Sequence, residues 1–165
     1  MGISVRQPPV IAGRAGALAL FALLPLAAAA GEAPSRVHTA APGSELAYHQ
    51  IHYSPAVRVG DLVILSGIPA AGGRTYEDKV RWMFREMQRQ LELAGATLAD
   101  VVELTSFHAE ARDTAAFQAE IERLLPIHAE FFPDHYPAWT AVGTTALLAP
   151  GAPVEMRAMA VIGSG

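Results

Sequence analysis

From Val154 the chain alternates strictly: Val154, Met156, Ala158 and Ala160 fall on one side, and Glu155, Arg157, Met159 and Val161 on the other. Successive side chains of an extended segment point to opposite faces, so the pattern predicts a strand with one wholly apolar face. The other face mixes a charge pair with apolar groups. That suits a subunit interface or a cleft better than open water and predicts a homo-oligomer. Further upstream the period lengthens. Val80, Phe84, Met87, Leu91 and Ala94 step by four and three, which predicts a helix with one apolar face. Thr75 is placed to cap it, Glu77 and Asp78 sit in its first turn, and Gly95 stops it. Trp82 lies off that stripe, either partly buried or marking a second contact surface.

The same patterning organises the rest. In "AVRVGDLVILSG" two β-rich runs flank Gly60-Asp61, a two-residue hairpin signal, and Ser66-Gly67 ends the second strand. "DVVELTSFHAE" reads as a strand, with His108 at its end as a surface or interface residue. Asp113 or Thr114 caps a second helix carrying Phe117, Ile121, Leu124 and Leu125, which Pro126 should kink or break. "IHAEFF" continues as a short helix, and "WTAVGTTALL" and "PVEMRAMAVIG" are the last two strands. The order is β-β-α-β-α-β-β. The simplest α+β arrangement lays both helices on one face of a single sheet.

Composition changes this picture at the N-terminus. Residues 1–30 carry Arg6 and Arg14, an apolar run to Ala30 and an Ala28-Ala29-Ala30 cleavage pattern, with no acid before Glu32. That is the layout of a secretory signal cut after Ala30, predicting a periplasmic or secreted product with no membrane contact after cleavage. The alternative, a retained anchor, is disfavoured by the shortness of the run and by Pro25. Residues 31–50, rich in Ala, Pro, Gly and Ser, read as a linker and irregular lead-in, and 51–163 as the domain. Cleavage removes two arginines and no acid, which takes the net charge from −4 to −6. With no basic cluster, nucleic acid is not an expected partner. There is no cysteine, which excludes disulfides and thiol chemistry in an exported chain.

Four segments in order, "YSPAVRVGDLVILSG", "LELAGATLADVVELTSF", "FFPDHYPAWTAVGTTAL" and "VEMRAMAV", resemble the RidA/YjgF family, also called endoribonuclease L-PSP, over about residues 51–163. The resemblance implies a chorismate-mutase-like fold, usually a homotrimer with a small-molecule cleft at each subunit interface. It also implies hydrolysis of reactive enamines and imines to 2-oxo acids and ammonia, a deaminase activity. In such deaminases an arginine after a Pro-Ala pair takes the substrate carboxylate, and a glutamate in the last strand positions the attacking water. Here Pro137-Ala138 is followed by Trp139, while Glu155 matches the glutamate. Tyr53 and Ser66-Gly67 also match, and the asparagine often found in the second helix has no counterpart, Leu125 falling nearest. An indole offers one N–H and a π face and cannot replace a bidentate guanidinium, at a cost of about 2–5 kcal/mol in binding an anionic substrate.

The candidate site is therefore Glu155 as the catalytic group. Tyr53, Ser66, Gly67, Trp139, Thr140 and Arg157 are the substrate-binding candidates, with backbone groups at Ser66–Gly67 and Thr140–Ala141 holding the ligand. Each has a plainer alternative. Glu155 either holds a water or pairs with Arg157, two positions along the same strand face. Arg157 either substitutes for the missing arginine or serves only in that pair. Trp139 either stacks on an aromatic ligand or fills a crevice between subunits. His49/His52 and His128/His135 form no metal motif, and no phosphate loop, dinucleotide fingerprint or nucleophile elbow occurs, so neither metal nor cofactor is expected. Two function classes follow. One is a hydrolase for an imine, enamine or related electrophile less anionic than a 2-imino acid. The other is a non-catalytic trimer that binds a small metabolite.

Overall fold

The computed structural model describes residues 34–39 and 45–165. The expected signal segment lies outside the described residues. One sheet of seven strands carries two long helices on one face. β1 (Arg36–Thr39), β2 (Ala56–Val59) and β3 (Leu62–Leu65) form an antiparallel ribbon, followed by the two-residue β4 (Ile68–Pro69). β5 (Val101–His108), β6 (Ala138–Gly143) and β7 (Val154–Val161) complete the sheet in the order β1-β2-β3-β7-β5-β6, with β4 on one end of β7. β5 and β6 are parallel, as the intervening helix requires.

The strongest patterns became the centre. β7 lies between β3 and β5, and Val154, Met156, Ala158 and Ala160 are all buried beneath the helices. The hairpin turns at Gly60-Asp61, with Val59 opposite Leu62 and Gly60 at a φ of 60°. α2 (Tyr76–Ala94) starts on a capping box between Thr75 and Asp78 and ends at Gly95 in the left-handed region. Its predicted stripe is buried, joined by Met83 and Gln90. α3 (Thr114–Phe131) is capped by Asp113, whose carboxylate accepts from the Ala116 N–H at 2.8 Å.

Two expectations need correcting. Pro126 neither breaks nor ends α3, which runs unbroken from Thr114 to Phe131. Pro126 and Glu122, whose carbonyl loses its partner, both lie on the exposed side, where water takes over the hydrogen bond. The irregular lead-in also contains structure, namely β1 and α1 (Glu45–Ile51). β1 pairs its backbone with the free edge of β2, Arg36 opposite Val59, and such pairing needs no apolar alternation for the sequence to reveal. Among the described residues no helix is long and apolar enough to cross a membrane.

Candidate functional site

β7 places Glu155 on the face away from the helices, next to Pro69 of β4 and Phe107 of β5. Its carboxylate lies in a cavity of about 430 Å³ with Tyr53, Ser66, Gly67 and Leu148. Close approach is possible only because position 67 is glycine: a Cβ there would fall 1.9 Å from Glu155 Oε1. Burial pushes the Glu155 carboxyl above the ordinary carboxylate range. Tyr53 is also raised, chiefly by burial and then by the negative charges of Glu86 and Glu155. Tyr53, Ser66, Gly67 and Glu155, four of the candidate site residues, thus line one cavity.

The expected ion pair is not formed. Among the described residues Glu155 has no salt bridge, and Arg157, opposite Thr105, has none either. Ser66 is more committed than expected: its hydroxyl donates to the Ser54 carbonyl at 2.7 Å and its N–H to the Pro55 carbonyl at 2.9 Å. Those bonds pin the end of β3 and leave Gly67 as the backbone closest to the carboxylate.

Trp139 does not share that cavity within one protomer. It pairs with Leu104, whose side chain is buried under the helices, so its indole lies on the opposite face of the sheet from Glu155. The ring is stacked on His128 of α3, centroids 5.1 Å apart and 3° from parallel. Its Nε1–H donates to Ser106 Oγ at 2.9 Å. Beneath it runs a buried chain. Ser106 Oγ is 2.9 Å from His108 Nε2, His108 Nδ1 is 2.9 Å from Glu120 Oε1, and Tyr76 OH donates to the same oxygen at 3.3 Å. One arrangement satisfies the ring at both ends: Ser106 O–H donates to Nε2, and Nδ1–H donates to Glu120. The connectivity is that of a nucleophile triad, but Ser106 and His108 are 0% exposed and the indole closes over the serine. Tyr76 is pushed well above its ordinary range, first by burial and then by Glu120. Burial lowers His128, with His135 adding to the effect.

His108 is therefore not a surface residue. Leu104, Ser106 and His108 share one phase of β5 and face the helices. The exposed side of Trp139 and Ala141 meets Phe117 and Ile121 of α3 in an open groove of about 620 Å³. Thr140 points the other way and is exposed, since it pairs with Thr105. Sequence reasoning missed Glu86 and Gln90, which flank Tyr53 in a separate recess of about 190 Å³. The available signal was Gln90 itself, a polar residue within the buried stripe of α2. Among the described residues no three His, Asp or Glu side chains cluster to hold a metal ion.

Comparison with known proteins gives a consistent picture. Residues 44–162 match the family described as Endoribonuclease L-PSP. The chain is 32% identical over 111 residues to the RutC family protein YjgH of Escherichia coli, covering 62% of this chain and 79% of that protein. It is 33% identical over 117 residues to a 2-iminobutanoate/2-iminopropanoate deaminase of Dermatophagoides farinae, covering 67% and 85%. Among solved structures, a YjgF/YER057c/UK114 family member from Mycobacterium tuberculosis superposes with a TM-score of 0.66 at 30% identity, over 78% of this chain and all of that one.

Proposed function

The chain belongs to the Endoribonuclease L-PSP family, also known as RidA/YjgF, and we infer that it is an exported homotrimer that hydrolyses an imine, enamine or related electrophile. The observation that carries this reading is Glu155: a half-buried carboxylate, raised by burial, with no cation paired to it among the described residues and held against Gly67 at the wall of a cavity. The activity named for the mite relative supplies the reaction class. Glu155 takes a proton from a water as its oxygen attacks the imine carbon, the C=N electron pair moves to nitrogen, and Glu155 passes that proton to the nitrogen. The resulting carbinolamine gives its hydroxyl proton to Glu155 as the carbonyl forms and the C–N bond breaks, and Glu155 returns that proton to the departing nitrogen, which leaves as ammonia. Ordinary 2-imino acids are poor substrates on this reading, because Trp139 is committed to His128 and Ser106 and offers no charge to a carboxylate.

A cleft between subunits is part of this reading. Trp139 and Glu155 occupy opposite faces of one sheet, so a single site can use both only if a second copy brings its Trp139 face to the first copy's Glu155 face. Support also comes from the half-buried apolar groups Ile64, Phe107 and Met159 on the helix-free face, and from β6, an exposed edge strand. The ribonuclease activity in the family's name is not proposed, given the net charge of −4. A second reading, a non-catalytic binding trimer, rests on the groove beside Trp139. One experiment separates them. Ammonia release is followed from imines generated by an amine or amino-acid oxidase, with wild type, Glu155→Gln and buffer in parallel. Wild type should exceed the variant by about a hundredfold or more, the scale of a lost general base. Equal rates in all three would remove the hydrolase and leave the binding trimer.

A further inference from the structure

The Glu155 cavity has two apolar lips, supplied by segments far apart in the chain. Ile51 ends α1, and Leu148 lies in the loop that joins β6 to β7. Both are large and exposed, Ile51 at 68% and Leu148 at 95%. One apolar side chain in water carries no message, but two that front the same cavity form the rim of an apolar patch. Pro69 and Ala149 line the same cavity.

Local structure sets both lips in place. His52 follows Ile51 with a φ of 60° and is the one residue other than glycine in the left-handed region among the described residues. Across that turn Ile51 and Tyr53 line the Glu155 cavity, whereas His52 and Ser54 line a different one. The loop of Leu148 is tied on both sides. The Thr144 N–H donates to the His108 carbonyl at 2.9 Å, and Lys79 Nζ donates to the Gly151 carbonyl at 2.7 Å.

Charge narrows the guest further. Glu155 is the only acidic or basic side chain at the cavity wall apart from the phenol of Tyr53. The groove at Trp139, which a second copy brings to this face on the trimer reading, is lined by Phe117, Ile121 and Ala141 with Gln118 and Glu122. Neither lining holds a lysine or arginine, so a carboxylate on the substrate meets no counter-charge. The cavity, about 430 Å³, also exceeds what a small aliphatic imine fills; roughly 150 Å³ already accommodates benzene.

We propose that Ile51 and Leu148 select the substrate by seating an aryl or branched alkyl group. The inference rests on the hydrolase reading of this cavity and narrows its substrate class to the N–H imine of an uncharged, hydrocarbon-bearing aldehyde or ketone. The hydrocarbon lies between the two lips, and the imine carbon passes Tyr53 and Gly67 toward Glu155. Hydrolysis releases the neutral carbonyl compound and ammonia. Ile51 and Leu148 discriminate between guests and take no part in making or breaking bonds.

The test measures binding of the carbonyl product separately from turnover. Titration of the full chain with acetophenone, followed by calorimetry, should give saturable binding at least tenfold tighter than that of acetone. Benzoylformate, which adds a carboxylate to the same ring, should bind more weakly than acetophenone. Ile51→Asn and Leu148→Asn should each weaken acetophenone binding about tenfold, the low end of what a lost methylene contact is worth in an apolar pocket. Leu93→Asn, an exposed leucine of α2 outside the cavity lining, should not. Both lip positions are exposed, so the variants should melt with wild type. Equal affinity for the two ketones, benzoylformate bound no more weakly than acetophenone, or unchanged affinity in either lip variant overturns the apolar lips, whatever the imine assay shows. Binding in the expected order, with no imine hydrolysed, upholds the lips and removes the hydrolase.

Discussion

Trp139 and Glu155 sit two strands apart on opposite faces of the same sheet, and their surroundings differ in kind. Around Trp139 most polar groups bond to one another: the indole N–H, the Ser106 hydroxyl, both His108 nitrogens, the Tyr76 hydroxyl and one Glu120 oxygen form a continuous chain under the helices, while Glu120 Oε2 and His128 Nε2 have no partner among the described residues. Around Glu155 the polar groups are left over. Among the described residues its carboxylate, buried enough to be raised, has no cation partner, and the carbonyl of nearby Gln90 has no hydrogen-bond partner. A bonded chain covered by the helices ties β5 to α3, whereas a partly desolvated carboxylate at a cavity wall is within reach of a ligand. By access the Glu155 face is the chemical one, and Trp139 first of all locks an edge strand to α3.

The sharpest way to break the contrast is to cut the bonded chain. His108→Ala removes the ring that links Ser106 to Glu120, leaves Glu120 Oε1 with only the Tyr76 hydroxyl and opens a cavity. The cost should be about 3 kcal/mol, combining lost hydrogen bonds with lost packing, read as a drop in the urea midpoint at unchanged slope. A loss below about 1 kcal/mol would mean that water already serves these groups, and the distinction between the two faces would weaken accordingly.

Next in size is a change on the open face that should spare the fold. Gly67→Ala puts a methyl where Glu155 Oε1 now lies. Gly67 is not among the residues with positive φ, and the obstructing atom is the end of a flexible side chain, so the backbone stays and the carboxylate swings away. Thermal stability should hold within about 1 kcal/mol, while imine hydrolysis falls about a hundredfold, as expected of an ångström-scale misplacement. Retained activity would show that the carboxylate works from more than one position.

How much of this could be read from the residues depends on what kind of signal each carried. β7 and α2 were legible because their apolar periods are complete, and Thr75, Gly95 and Asp113 mark helix ends by local chemistry alone. β1 was not, because an edge strand joins a sheet through backbone pairing. Glu155, Tyr53 and Gly67 converge as the family pattern suggested, because three neighbouring strand ends and the segment before β2 bring them together. The Glu155–Arg157 pair failed for a geometric reason: two residues on one strand face can reach each other but are not obliged to, and local period says nothing about partners across the sheet. His108 was misread because a polar residue at a strand end looks solvated until Glu120 of α3 is placed against it. Gln90 could have been noticed, since it interrupts an otherwise apolar stripe.

The smallest effect tests whether the open face is held at a cost. Burial raises the Glu155 carboxyl in the folded chain above its ordinary value. A carboxyl raised on folding binds its proton more tightly in the native state, so the contribution of this group to stability is greatest at low pH. It is lost as pH rises through the folded value. At neutral pH the ionised carboxylate therefore works against the fold, and Glu155→Gln, neutral at every pH, is relieved of that penalty. The variant should melt above wild type at pH 7, and the gap should close as pH falls below the carboxylate range. Melting temperatures measured across that range decide it. A variant no more stable than wild type at pH 7 would mean that the carboxylate has found compensation in the assembled protein, and that the two faces differ less than the single chain suggests.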